Sequence, residues 1–136
     1  MIEVYIDGAS AGNPGPSGAG IFIKGHGSAE KYAIPLGNMS NHEAEYHAFI
    51  KGLEICIQKN YLVVSFRTDS QLVNQAVEKE FVKNKQFSPL LEQALLLTKK
   101  LDLFFIKWIP SSQNKLADEL ARMAIRENPS EEAERS

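Results

Sequence analysis

The sequence predicts one α/β domain built on a five-stranded mixed sheet, its first three strands antiparallel, its last two parallel to the first, with helices on both faces. Three observations predict it. The N-terminal third alternates apolar and polar residues between glycine-rich turns. The middle and C-terminal stretches repeat apolar residues at helical spacing. Two further strand-like runs stand between those helical stretches. A right-handed crossover from the first strand to the fourth makes those two parallel neighbours. At 136 residues, 43% of them hydrophobic, the chain has the length and apolar content for one domain with a real core, and it shows no internal repeat or linker.

Residues 2–6 read Ile-Glu-Val-Tyr-Ile, apolar at alternate positions, and stop at Asp7-Gly8 as a first strand. Residues 8–20 hold five glycines and two prolines, a turn segment. Residues 19–24 and 31–36 flank Gly25-His26-Gly27 as a hairpin. Between Ser40 and Asn60, Tyr46, Phe49, Ile50, Leu53 and Ile57 recur at helical spacing, with Ser40 or Asn41 as cap. Residues 62–67 form a fourth strand. It ends at Thr68-Asp69-Ser70, where a hydroxyl or carboxylate can cap a helix carrying Leu72, Val73, Ala76 and Val77. Residues 79–87 are charged and irregular, residues 89–100 are helical, and residues 103–109 form the fifth strand with Pro110 beyond its end. Residues 114–126 make the last helix. The domain is expected over residues 1–127, and residues 128–136, which lack hydrophobic periodicity, are expected to be a disordered tail.

The composition excludes several classes. Fifteen Lys and Arg against 17 Asp and Glu leave a net charge of -2, so no global basic field announces a nucleic-acid partner. No signal-like leader and no run long enough for a bilayer stands in the sequence, which is therefore expected to be soluble, intracellular and cytoplasmic, and to act as a monomer. The lone Cys56 falls in an apolar helical pattern and is expected to be a core thiol without redox chemistry.

Four acids carry the chemistry. Singly, each has an ordinary explanation. Asp7 can start a turn, Asp69 can cap a helix, and Glu45 and Asp118, read as lying in first helical turns, can complement the helix dipole. Together, the predicted topology brings all four to one rim of the sheet, at the carboxyl ends of the first and fourth strands, where open α/β sheets bind ligands. Glu45 shares a face with core residue Phe49, and Asp118 shares one with Ala121 and Ile125, so both lean inward. Four inward carboxylates cannot all stay ionised without a cation. An oxygen-only set suits hard Mg²⁺ or Mn²⁺, and the lack of clustered His and Cys argues against zinc. A pair of such ions serves in-line phosphoryl displacement, the chemistry of a nuclease.

The motifs Asp-Gly-Ala-Ser-Ala-Gly-Asn-Pro-Gly at residues 7–15, Ser-Asn-His-Glu-Ala-Glu at 40–45, Thr-Asp-Ser-Gln at 68–71 and Asn-Lys-Leu-Ala-Asp-Glu-Leu-Ala at 114–121 resemble those of type 1 ribonuclease H. The resemblance runs from Met1 to about Arg126, with the motifs in the family's order. It implies a ribonuclease H-like fold and an endoribonuclease that cuts the RNA strand of RNA–DNA hybrids without regard to sequence. It further implies that Asp7 bridges two Mg²⁺ (or Mn²⁺), that Glu45 and Asp69 hold one of them, and that Asp118 completes the other. Gly8, Asn13, Ser40, Asn41 and Gln71 are implied to contact hybrid backbone and minor groove. Read alone, Asn13 and the glycines form a tight turn and Gln71 is an exposed helix residue.

Three departures stand out. His42 replaces the family's usual second asparagine and reads as a solvated surface residue. Residues 78–88 are short and charge-mixed where many bacterial members carry a basic protrusion, which predicts weak hybrid binding. Residues 109–114, Ile-Pro-Ser-Ser-Gln-Asn, lack the family's loop histidine. The protrusion-less members that the chain resembles include some that accept double-stranded RNA. A catalytically silent hybrid-binding module is the rival reading. An actin-like phosphotransferase needs two such domains, and no P-loop ending Gly-Lys-Ser/Thr is present.

Overall fold

The computed structural model describes residues 1–127, and the tail expected at 128–136 lies outside the described residues. Strands β1 (Ile2–Ser10), β2 (Gly15–Gly25) and β3 (Ser28–Met39) lead into helix α1 (Asn41–Gln58). Then come β4 (Val63–Thr68), α2 (Gln71–Lys79), α3 (Ser88–Thr98), β5 (Leu103–Trp108), a 3₁₀ turn (Ser111–Gln113) and α4 (Lys115–Arg126). The sheet order is β3-β2-β1-β4-β5. The pairs β1–β2 and β2–β3 are antiparallel, while β1–β4 and β4–β5 are parallel, as the pattern of turns and crossovers requires. No helix among the described residues is long and apolar enough to cross a membrane.

Three boundaries differ from the sequence reading. β1 does not end before Asp7 but runs on to Ser10, with Asp7 paired to Gly20 and Ser10 to Ser17. β2 accordingly begins at Gly15, inside the segment read as a turn. The small residues there are demanded by packing: a Cβ on Gly20 would lie 1.9 Å from the Ala117 carbonyl oxygen, because α4 rests directly on the strand. β3 extends from Ser28 to Met39 through Pro35, which an edge strand tolerates.

One face of the sheet packs against α1 and α2, with α3 packed against α1. Val4, Ile6, Phe66, Tyr46, Phe49 and Leu53 are buried there. Phe49 meets Phe66 edge-on at 5.3 Å and Phe104 at 5.8 Å. Truncating a residue so enclosed costs ~3–5 kcal/mol. Cys56 is buried in this core, and burial pushes its thiol up to about 12, so it is an inert packing residue as expected. The opposite face is covered by α4 over β1, β2 and β3, while the β4–β5 side of that face carries the exposed side chains Leu103 and Phe105.

Candidate active site

Two close approaches put acids at the rim. A Cβ on Gly8 would lie 2.1 Å from the Ala44 carbonyl oxygen, so glycine lets α1 lie on β1 and brings Glu45 beside that strand. The last parallel pair is Ile6 with Thr68, after which β4 ends. Asp7 and Asp69, the next residue on each chain, therefore stand side by side although Asp7 lies inside its own strand. The Ser70 hydroxyl, not the Asp69 carboxylate, caps α2 by accepting from the Val73 N–H at 3.2 Å, which leaves Asp69 facing its neighbours.

Asp7 hydrogen-bonds to both Asp69 and Asp118. Desolvation, followed by the charges of Asp69 and Asp118, pushes its carboxyl up to about 9. The folded chain relieves like-charge crowding by holding a proton. Asp69 is also raised by burial, against hydrogen bonds from Asp7 and Asn114. Glu45 is raised by burial, opposed by His42 and Ser70, and it feels the charge of Asp69. It lies in the second turn of α1, not the first as the sequence suggested: Ser40 caps the helix, and its reciprocal bonds with Glu43 make Glu43 the first-turn acid. Asp118, in the first turn of α4, makes an ion pair with Arg122 one turn on.

The structure thus brings Asp7, Asp69 and Asp118 into contact, with Glu45 joined through Asp69. As the side chains stand, with Asp118 turned to Arg122 and Glu45 to His42, no group of three or more His, Cys, Asp and Glu among the described residues closes into a metal-binding set. Asn13 and Asn41 are adjacent and exposed, the Asn41 N–H donating to Asn13 Oδ1 at 3.1 Å. Ser40 is occupied as the cap, Gln71 is the exposed first residue of α2, and Gly8 is buried beneath α1.

Three further residues touch the acids. Asn114, only 2% exposed, donates from Nδ2 to the Ile6 carbonyl at 2.9 Å, tying the start of α4 to β1, and its amide lies near enough to Asp69 to lower that carboxyl. The Trp108 Nε1 donates to the Asp69 carbonyl at 3.1 Å. His42 is not merely solvated: its Nδ1 lies 2.8 Å from Glu45 Oε1, and its ring meets Phe87 edge-on. The i,i+3 spacing of His42 and Glu45 was a visible signal. Asn114 opens the motif at residues 114–121, but its bond to Ile6 was not readable because that partner is distant in sequence.

A mixed sheet in this order, with acids on β1, α1, the end of β4 and α4, defines the ribonuclease H-like class. Residues 6–124 match the family model described as reverse transcriptase-like. A protein of Enterococcus faecalis that carries the provisional name hydrolase EbsB is 42% identical over 92% of this chain and 94% of its own length. Ribonuclease HI of Halobacterium salinarum is 32% identical over 91% of this chain, which spans 64% of that longer protein. The crystal structure of RNase H1 from the same archaeon superposes with a TM-score of 0.87 at 31% identity, covering 93% of this chain and 98% of that one. LC11-RNase H1, solved in complex with an RNA/DNA hybrid, gives a TM-score of 0.84 at 28% identity over 93% of this chain and 98% of its own. The chain belongs to the ribonuclease H family of hydrolases.

Proposed function

We propose that this chain is a monomeric endoribonuclease that hydrolyses the RNA strand of RNA–DNA hybrids, without regard to base sequence, using two divalent cations. The observation that carries it is the contact of Asp7 with Asp69 and Asp118, from three separate elements, beside Glu45. The donor set fits the ions: it is all oxygen and, at Asp7 and Asp69, desolvated with like charge close by, which suits Mg²⁺ and also Mn²⁺. When bound, such a pair supplies activation of water and neutralisation of charge on the leaving oxygen. Asp7, Glu45, Asp69 and Asp118 would hold the pair. Trp108 and Asn114 act as positioning residues, Trp108 by its bond to the Asp69 carbonyl and Asn114 by fixing the start of α4 to β1 beside the Asp69 carboxyl. Of the five residues expected at the hybrid, Asn13, Asn41 and Gln71 are exposed and supply the contacts to backbone and groove, while Gly8 and Ser40 serve them by seating and capping α1. Asn13 and Asn41 suit that role as an exposed polar pair. The hybrid in the LC11 enzyme supports the substrate class.

A second reading, a silent hybrid-binding module, draws on one observation: Arg122 and His42 occupy two of the four acids. Cleavage of a labelled RNA–DNA hybrid, a double-stranded RNA and a DNA duplex in Mg²⁺, Mn²⁺ or EDTA tests both. Cation-dependent cutting of the RNA strand in the hybrid is expected. Hybrid binding without cutting in either metal supports the silent module. Cutting of the RNA duplex as well would widen the substrate class.

A further inference from the structure

The sheet face that α4 covers only in part has a pattern that the active site does not use. Strand register aligns Lys31, Phe22, Tyr5, Arg67 and Lys107 in one row across all five strands. The neighbouring row places Lys24, Glu3, Ser65 and Phe105 on the same face. The Tyr5 and Phe22 rings lie 5.9 Å apart, with Lys24 Nζ and the Arg67 guanidinium each 5.5 Å from the Tyr5 ring centre. Phe105 is 49% exposed, and Lys31 and Lys107 are exposed at the two ends of their row. These rows carry four cations and one carboxylate, Glu3, which pairs with Lys24 and Arg67, so Lys31 and Lys107 at the ends of their row are the cations it leaves to solvent, in a chain whose net charge is -2.

Apolar side chains exposed for packing alone do not need such a ring of cations. Aromatic faces interleaved with Lys and Arg on a sheet match the chemistry of stacked bases on a phosphate backbone. The row spans about 19 Å at the usual strand spacing, and Tyr5 stands about 7 Å along β1 from Asp7 on the same face. A hollow lined by Tyr5, Phe22, Lys24, Gln113, Asn114, Leu116 and Ala117 lies between the aromatic pair and the start of α4.

We propose that this open face is a second nucleic-acid site, a platform for a single-stranded segment such as one that flanks a hybrid. It goes beyond the proposed function and does not require catalysis. The test uses the full chain in EDTA, titrated against fluorescent single-stranded oligo-U and oligo-dT by anisotropy across a salt series. Three or so released counterions give an expected slope of about -2 in log K against log salt. The double variant Phe105→Ser and Lys107→Glu changes two exposed side chains, so the fold should hold, and circular dichroism checks that. It should weaken oligonucleotide binding tenfold or more, leave cleavage of a blunt hybrid unchanged, and abolish any KM advantage of a hybrid bearing a single-stranded overhang. No saturable binding by the parent, or equal binding by the variant, overturns the platform. So does light scattering that shows a dimer which the variant dissolves, since the face would then join two copies. Oligonucleotide binding with this pattern in a chain that never cuts hybrid would sink the proposed function and leave the platform standing.

Discussion

Two acidic residues of this molecule live in opposite worlds. Glu30, on β3, receives hydrogen bonds from Lys59, Tyr32 and Tyr61, and these hold its carboxyl down to about 2. Asp7, on β1, faces Asp69 and Asp118 with no cation against it, and its carboxyl rises to about 9. The Glu30 corner is electrostatically complete and ties β3 to the end of α1. The Asp7 rim is incomplete, its charges facing one another in a desolvated place. A satisfied acid is a fastener; a frustrated cluster of acids marks a place for something positive.

The largest expected effect is on catalysis. Asp7→Asn and Asp69→Asn should each lower kcat on hybrid by roughly a thousandfold or more, since the metal's share of transition-state stabilisation is several kcal/mol and each 1.4 kcal/mol is tenfold. Wild-type-like cleavage by either variant would sink the assignment of the rim.

The same contrast predicts opposite pH dependences for the metal-free fold. Between about pH 4 and pH 9 the folded chain keeps a proton on Asp7 that the unfolded chain has released. Its stability therefore falls as pH rises through that window, by at most ~1.4 kcal/mol per pH unit for one proton. Asp7→Asn should flatten the slope and melt higher than the parent at pH 7 in EDTA. Added Mg²⁺ should raise the parent's Tm and leave the variant's nearly unmoved. Glu30 works the other way: its contribution is present above pH 4.5 and lost as pH falls towards 2. A Tm series from pH 3 to 9 with and without EDTA reads both signs. A metal-free parent that gains stability steadily from pH 5 to 9 would contradict the frustrated rim.

Asn114→Ala should cost ~1–3 kcal/mol of stability, because it leaves the buried Ile6 carbonyl without its 2.9 Å donor. It also frees Asp69, so kcat should fall tenfold or more. Urea melts and single-turnover cleavage measure the two losses. A stability loss with unchanged kcat would show that Asn114 is a fastener like Lys59 and no part of the site. Glu30→Gln should cost less, ~0.5–1 kcal/mol for a partly exposed network, with cleavage untouched.

Much of this arrangement was legible in the chain. Alternation gave the strands, helical spacing gave Phe49 and Leu53 as core, and motif order pointed to Asp7, Asp69 and Asp118, which the fold sets beside one another. The parallel pairing of β1 and β4 put Asp7 level with Asp69 as the crossover rule required. Two kinds of feature stayed hidden. Glycines at positions 15, 18 and 20 look like turn residues, yet they lie within β2, and α4 needs Gly18 and Gly20 bare to lie on the strand. Long-range partners were also invisible: the bond from Asn114 to Ile6 joins positions 108 apart, and Lys59 finds Glu30 across 29. Periodicity reports which face a residue takes, and says nothing of which backbone carbonyl will be waiting there.

The smallest effect separates the two ways in which Asp69 is held. Trp108 lies at the end of β5, is 42% exposed, and gives its indole N–H to the Asp69 carbonyl. Trp108→Phe keeps an aromatic body and removes that donor alone. The carbonyl is near solvent, so water can replace the lost partner, and the net loss belongs at the low end of the 0.5–1.5 kcal/mol range for one hydrogen bond. That corresponds to a two- to fivefold fall in kcat. KM should stay level if the bond only steadies Asp69, because substrate contacts elsewhere are unaltered. If KM rises while kcat holds, the indole meets the substrate itself, and Trp108 moves from the positioning residues to the binding surface. If neither changes, the Asn114 contact alone suffices to hold Asp69, and the rim is more rigid than its exposed edge suggests.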